Sequence, residues 1–386
     1  MKEKINPENE KQTVMRESGI ELLKIVALSL IVIYHVVQTL SYGNPFLSYH
    51  DYVINLAIAT NDVQQFVLTL LSYFGAWGNA IFFICSAWFL LQSKYFNKKK
   101  WFHILLEIWG VSVIILIISC FLLRGNISLT IVIKSLFPTL YGNNWYLTCY
   151  VLFYPIHPLL NKLIQSLSKP LLFRLSSAMF ILYCCLGFIK SDLFFPSMIL
   201  LWITIYFVIA YIQIYMTDFT NNMKKNIFLL IIGMIGYIGL AVLTNVLGLH
   251  FTFMKGRMLQ WATNCNPFLI AMAIAMLNIA RNVHFKNKFI NYISGLSLLI
   301  YIIHENLVLR TYFRPYIINY VYVNFGYDKI LIWVMLIAIA ILIFGIVSSV
   351  VYDKTLRKFI RKISVLLYPI VRKIYLYFET AILKLH

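Results

Sequence analysis

Seven side chains ionise inside runs that are otherwise apolar: Glu21, Lys24, His35, Glu107, His157, His304 and Glu305. A charge at the centre of a bilayer costs about 3 kcal/mol or more, so each marks a candidate site. Glu21 and Lys24 are three residues apart, share a helix face and can pair. His35 lies about 16 Å beyond Lys24 along a helix. Lys24 can extend its ammonium to the near interface, which puts His35 past the bilayer middle. His304 sits at a comparable depth on a late apolar run, with Glu305 beside it. Two imidazoles and a carboxylate at one depth on two helices are equipment for taking a proton from an alcohol or thiol. His157 reads as an interhelical hydrogen bond. Glu107 reads as a counter-charge to the nearby run Lys98, Lys99 and Lys100. Those lysines are either a topology signal or point charges for a phosphorylated cytosolic ligand. Asn143, Asn144, Trp145 and Tyr146 set two amides beside two rings, which suits either an interfacial belt or contact with a sugar.

The elements that must hold these groups follow from composition. The chain has 386 residues, 61% hydrophobic and only 12% charged, with a mean hydropathy of +0.79. Soluble domains carry about 25% charged residues, so a cytosolic enzyme, a secreted disulfide scaffold and a disordered chain are excluded. The six cysteines lie mostly in apolar runs and form no CxxC pair, which suits neither disulfides nor metal ligands. The formal charge of +19 does not imply nucleic acid, because no basic-aromatic module stands apart from the apolar segments. It follows instead from cytoplasmic loops rich in Lys and Arg.

These features predict an all-α polytopic protein of the cell membrane, embedded in the lipid bilayer. A span needs about 20 apolar residues. Ten are expected, at about 20–41, 70–93, 103–123, 145–166, 171–188, 194–216, 226–248, 259–280, 290–310 and 328–351, with both termini cytoplasmic. With that alternation only eight of the 33 basic residues fall outside, Arg310 and Arg314 among them. Residues 1–18 form a cytoplasmic tail, 19–352 the transmembrane domain and 353–386 a basic amphipathic tail. That tail is either a topology anchor or a helix lying on an anionic inner leaflet. The first run is an uncleaved span, and 124–144 is a re-entrant or interfacial piece.

Four blocks resemble the membrane-bound acyltransferase family 3. RESGIELLKIVALSLIVIYHV (Arg16 to Val36) is similar to its first-span signature of an acidic residue, a basic residue and, after ten intervening residues, a histidine. GAWGNAIFFICSAWFLL (Gly75 to Leu91) is similar to its second span. NNWYLTCYVLFYPIHPLLNKLI (Asn143 to Ile164) resembles its Trp-Tyr-Leu block, and SGLSLLIYIIHENLVL (Ser294 to Leu309) its late Ser-x-x-x-Tyr-x-x-His block. Three positions depart from the pattern. Lys24 stands for the usual Arg, Ser86-Ala87 for Ser-Gly, and Lys98 to Lys100 for an Arg-rich stretch.

The resemblance implies transfer of an acyl group, usually acetyl from acetyl-CoA, to a hydroxyl of an envelope carbohydrate. No bound cofactor and no metal are implied. His35 is then the general base or a transient acyl carrier. Glu21 and Lys24 orient the donor, which Ser86, Lys98, Lys99 and Lys100 also contact. His304 or Glu305 holds the imidazole tautomer or polarises the acceptor, and Asn143, Asn144, Trp145 and Tyr146 touch sugar. Some relatives carry a C-terminal hydrolase-like domain. None is expected here, so the membrane part or a partner completes the transfer. Two other readings fit the composition: a transporter of envelope saccharides, and a catalytically silent polymer-export partner.

Overall fold

A computed structural model describes residues 17–41, 61–93, 95–189, 197–255, 257–326 and 328–383. They are helical, with no strand among them. The chain runs through α1 (Ser18–Ser41), α2 (Asp62–Ser72), α3 (Phe74–Leu90), α4 (Lys98–Leu122), α5 (Leu129–Leu136), α6 (Trp145–Ser166) and α7 (Lys169–Phe180). A π-helical turn, Ile181–Leu186, leads to α8 (Gly187–Ile189). There follow α9 (Met198–Tyr215), α10 (Thr217–Thr220), α11 (Met223–His250), α12 (Thr252–Lys255), α13 (Pro267–Asn282), α14 (Lys288–Gly295) and α15 (Ser297–His304). A second π-helical turn, Leu309–Phe313, opens into α16 (Arg314–Phe325), then α17 (Ile330–Lys354) and α18 (Leu356–Leu383). Asparagines start several of these helices. Asn61, Asn97, Asn222, Asn266 and Asn287 each accept a backbone N–H of the first turn through the side chain. An Asn in that place is worth about 1 kcal/mol over Ala.

Seven helical stretches are long and apolar enough to cross a membrane: Ser18–Leu40, Asp62–Leu90, Lys98–Leu122, Lys169–Ile189, Met198–Tyr215, Met223–His250 and Ile330–Lys354. The chain is therefore an all-α polytopic membrane protein. The three other expected spans are helical but differ in kind. The one at 145–166 carries Pro155 and Pro158 together with His157, Asn161 and Lys162. That at 259–280 is a helix of 16 residues. That at 290–310 is broken at Leu296 and again after His304. The second span is longer than expected, starting at Asp62 and interrupted at Tyr73. Within 124–144, α5 is a short helix of eight residues, of which only Ser135 is buried.

α1 is the hub. It packs against α2, α3, α13, α14, α15, α16 and α17. The approach to α3 is close because α3 presents Gly75 and Gly78. A Cβ at Gly75 would lie 2.5 Å from the Tyr34 ring, and one at Gly78 2.5 Å from the Ala27 carbonyl oxygen. These contacts run antiparallel, Gly75 against Tyr34 and Gly78 against Ile31, so they fix the height of α1 and the position of His35. Gly78→Leu is expected to destabilise by about 1–3 kcal/mol through overpacking and to lower the melting temperature in detergent. It should also lower activity by shifting α1.

Two apolar cores divide the length of α1, the larger taking Leu23, Ala27, Leu28 and Ile31 and the smaller the stretch from Val32 to Leu40. The larger joins α1, α3, α6, α9, α13 and α15 around Phe83, Phe153, Trp202 and Tyr206. The smaller joins Val32, Val36, Val37 and Leu40 of α1 to Leu68, Val334 and Ala338.

Glu107 is not the counter-charge of the lysine run. It is 1% exposed, and its Oε1 lies 2.6 Å from Nε of Arg357 on α18 and 4.0 Å from Nε2 of His103. Arg357 also donates to Asp353, Nη1 to Oδ1, at 2.8 Å. His157 makes no interhelical bond among the described residues. Its Nδ1 meets the carbonyl of Tyr154 in its own helix, where Pro158 removes the N–H that this carbonyl would otherwise accept. All six cysteines are free thiols.

Candidate active site

His35 is carried near the end of α1, and His304 and Glu305 at the C-terminus of α15. The two helices touch. His35 Nδ1 lies 3.0 Å from Glu305 Oε2 and 3.2 Å from His304 Nε2. The pair expected from depth alone is thus in direct contact.

Hydrogen bonding orders the protons. His304 Nδ1 is 2.8 Å from the carbonyl oxygen of Ile300, which can only accept. A neutral His304 therefore carries its proton on Nδ1, and its Nε2 is an acceptor. His35 Nδ1 faces two acceptors, that nitrogen and the Glu305 carboxylate, so it must donate. The lone pair of His35 is left on Nε2, the basic nitrogen. The ring is 8% exposed, shielded but not sealed.

Two arginines complete the cluster. Arg310 Nη1 and Arg314 Nη2 donate to Glu305 Oε1 and Oε2, each at 2.9 Å. Arg314 Nη2 also donates to the carbonyl of His304 at 2.5 Å, and its Nη1 reaches the carbonyl of His35 and Thr39 Oγ1, both at 3.5 Å. One guanidinium so ties both histidine-bearing helices to the carboxylate. Arg310 and Arg314 were expected in an outside loop. The π-helical turn after Asn306 instead folds them back, and Arg314 is buried. Such turns recur at functional sites.

The donor atoms of His35, His304 and Glu305 lie within 4.8 Å of one another, a spacing that a metal ion could use. Both carboxylate oxygens are already held by guanidiniums, so a divalent ion would face two fixed positive charges. The set fits proton transfer better than metal binding.

Of the residues from Asn143 to Tyr146, Asn144 meets this cluster directly and Tyr146 through Tyr301. With its amide oriented to satisfy its neighbours, Asn144 donates to the carbonyl of Glu305 at 3.0 Å. Asn143 Nδ2 donates to the carbonyl of Lys134 at 2.6 Å. Both amides are thus committed to backbone and buried. Tyr146 packs among Phe82, Trp202 and Tyr301, and Tyr301 meets His304 edge-on with centroids 5.5 Å apart. Trp145 is partly exposed.

Glu21 and Lys24 lie far from this cluster, about 21 and 16 Å down α1 from His35. They pair as their spacing implies, Lys24 Nζ to Glu21 Oε2 at 2.6 Å, and Ser294 Oγ donates to the same oxygen at 2.5 Å. By the antiparallel register, Lys24 stands level with Cys85 and Ser86 of α3. Arg281, unremarked in the sequence, stacks on Trp88 of α3, Cζ 3.8 Å from the ring centroid. One of its guanidinium nitrogens is buried with no hydrogen-bond partner among the described residues. Lys98, Lys99 and Lys100 are exposed at the N-terminus of α4, where the helix dipole adds positive potential. Lys100 also sits over the Tyr154 ring, 5.8 Å from its centroid.

Comparison with curated proteins gave no match, and neither did comparison with solved structures. A family model described as an acyltransferase domain matches residues 17–352. That stretch includes α1 to α16, α17 up to Tyr352 and every residue of the His35 cluster. The chain therefore belongs to the membrane-bound acyltransferase family 3 and is a multi-pass O-acyltransferase of the plasma membrane.

Proposed function

We propose that the enzyme moves an acetyl group from acetyl-CoA in the cytosol to a hydroxyl of an envelope polysaccharide. The observation that carries this reading is the orientation of His35. Its Nδ1–H is held by Glu305 and His304, so Nε2 is the free base. Nε2 takes the proton of the acceptor hydroxyl, and the oxygen attacks the thioester carbonyl. The C–S bond breaks, and the thiolate of CoA leaves with the proton from the imidazolium. Glu305 faces the imidazolium while it is charged, and the guanidiniums of Arg310 and Arg314 hold that carboxylate in place.

The ends of α1 define the route. The Ser18 end, with Lys24, Arg281, Ser86 and the Lys98–Lys100 run, receives the phosphorylated end of the donor. The thin arm of CoA reaches along α1 toward His35. Trp145 is the ring placed to touch sugar, with Asn143, Asn144 and Tyr146 shaping the wall behind it. In this arrangement both termini are cytoplasmic, and α6, α13 and the α14–α15 pair supply the crossings that bring the total to ten.

The test uses inverted membrane vesicles given acetyl-CoA labelled in the acetyl group. Label on carbohydrate is expected. Movement of glycan without label would support a transporter instead. Lys24→Ala is expected to raise KM for acetyl-CoA about tenfold, the value of one charged hydrogen bond, with Lys24→Arg close to wild type. An unchanged KM in the alanine variant would remove Lys24 from the donor site.

A further inference from the structure

α18 follows α17 with one residue between, and its faces divide three ways at 100° per residue. The first face packs on the protein. Ile360 and Ser364 are buried, Arg357 reaches Glu107 of α4, and Tyr368 meets the Phe102 ring at 6.3 Å. Ile360 also fills the space above Gly110, where an added Cβ would come within 3.0 Å of it. The second face is apolar and uncovered. Phe359, Leu366 and Ile370 are 60%, 72% and 56% exposed. The third face is basic: Lys358, Arg361, Lys362, Arg372 and Lys373, all exposed. No acidic residue interrupts 356–373.

A helix pinned on one side, apolar on the second and cationic on the third fits one surrounding: the boundary between acyl chains and anionic headgroups. A soluble surface helix would not leave three large apolar side chains bare beside five cations. A transmembrane helix would not carry those cations through its middle. The basic face borders the apolar one from Lys358 to Lys373. Pro369 falls on the basic side, opposite Ile360. There its missing N–H disturbs neither the packed face nor the apolar one.

We infer that α18, on the cytoplasmic side that the proposed topology gives it, is a binding surface for anionic lipid of that leaflet, docked to α4 through Arg357 and the buried Glu107. The occupant is a lipid surface, read by charge and by apolar burial together. A soluble anion would use only the basic face.

The test uses the full chain in a neutral detergent. Melting is followed with added phosphatidylglycerol, phosphatidylcholine or inorganic pyrophosphate, and retained lipid is read by native mass spectrometry. Phosphatidylglycerol is expected to raise the melting temperature by several degrees and to be retained in preference to phosphatidylcholine. In a variant with Lys358, Arg361, Lys362, Arg372 and Lys373 all changed to Gln, both preferences should vanish. Each lost cation should weaken retention about fivefold. Phe359→Ser with Leu366→Ser keeps the charge and should weaken retention of both lipids. Equal effects of the two lipids on the wild-type chain would overturn the inference. So would full protection by pyrophosphate, or an undiminished phosphatidylglycerol effect in the Gln variant. None of these readouts depends on acyl transfer.

Discussion

Replacing His35 with alanine is expected to lower O-acetylation of carbohydrate by about 10³-fold or more, with protein level and membrane insertion unchanged. General base catalysis contributes about 10²–10⁴-fold, and here the base also sits where proton removal and thioester attack coincide. The ring makes its polar contacts through Nδ1, so its loss removes hydrogen bonds worth about 1–3 kcal/mol. That is too little to abolish insertion of a chain with seven membrane-length helices. His35→Gln sharpens the test. A glutamine amide can still donate toward Glu305 but cannot accept a proton and return it. It should preserve melting temperature better than alanine and remain as inactive. A base is further distinguished from an acyl carrier by incubating the wild-type protein with labelled acetyl-CoA and no acceptor. Label trapped on the protein and lost in His35→Gln supports the carrier. No label on an otherwise active enzyme supports the base. Appreciable transfer in either His35 variant would remove this imidazole from the mechanism.

The shared depth of His35 and Glu305 was legible in advance because a helix converts residue number into depth. Both residues belong to long apolar runs, and the rise per residue puts them at one height. Glu21 and Lys24 were legible for a similar reason, since a spacing of three fixes a shared face. Arg310 and Arg314 were not. They follow an apolar run as loop charges do, and only the helix break at His304–Asn306 and the π-helical turn bring them onto Glu305. Glu107 was misread because its partner Arg357 lies on the last helix, and no local spacing encodes that meeting. The asparagines before α6 were read by side-chain chemistry alone. Their amides satisfy nearby backbone carbonyls instead, a demand that buried polypeptide imposes wherever a chain turns. The span count rested on apolar length. It is clear for α17 and fails to separate α6, where prolines and polar side chains interrupt the run.

The second large effect is expected at the carboxylate. Glu305→Gln keeps the shape of the side chain and removes its charge. It leaves the guanidiniums of Arg310 and Arg314 facing a neutral amide, and breaking one partner of a buried ion pair costs about 3–5 kcal/mol. A lower melting temperature is therefore expected, and stability alone cannot identify the role of Glu305. Rate in combination with His35 can. If Glu305 acts by holding the His35 tautomer and balancing the imidazolium, Glu305→Gln should lower kcat by about 10²–10³-fold with little change in KM for acetyl-CoA. In the His35→Gln background it should lower the rate no further, because the ring it serves is already gone. Arg314→Lys keeps the charge but cannot hold Glu305 and both histidine carbonyls at once. It should lower kcat less than Glu305→Gln does and again leave KM nearly constant. A Glu305→Gln loss that multiplies fully with that of His35→Gln would show the carboxylate working apart from the imidazole. The arginine clamp would then support the fold alone, and the assignment of Nε2 as the base would lose its physical ground.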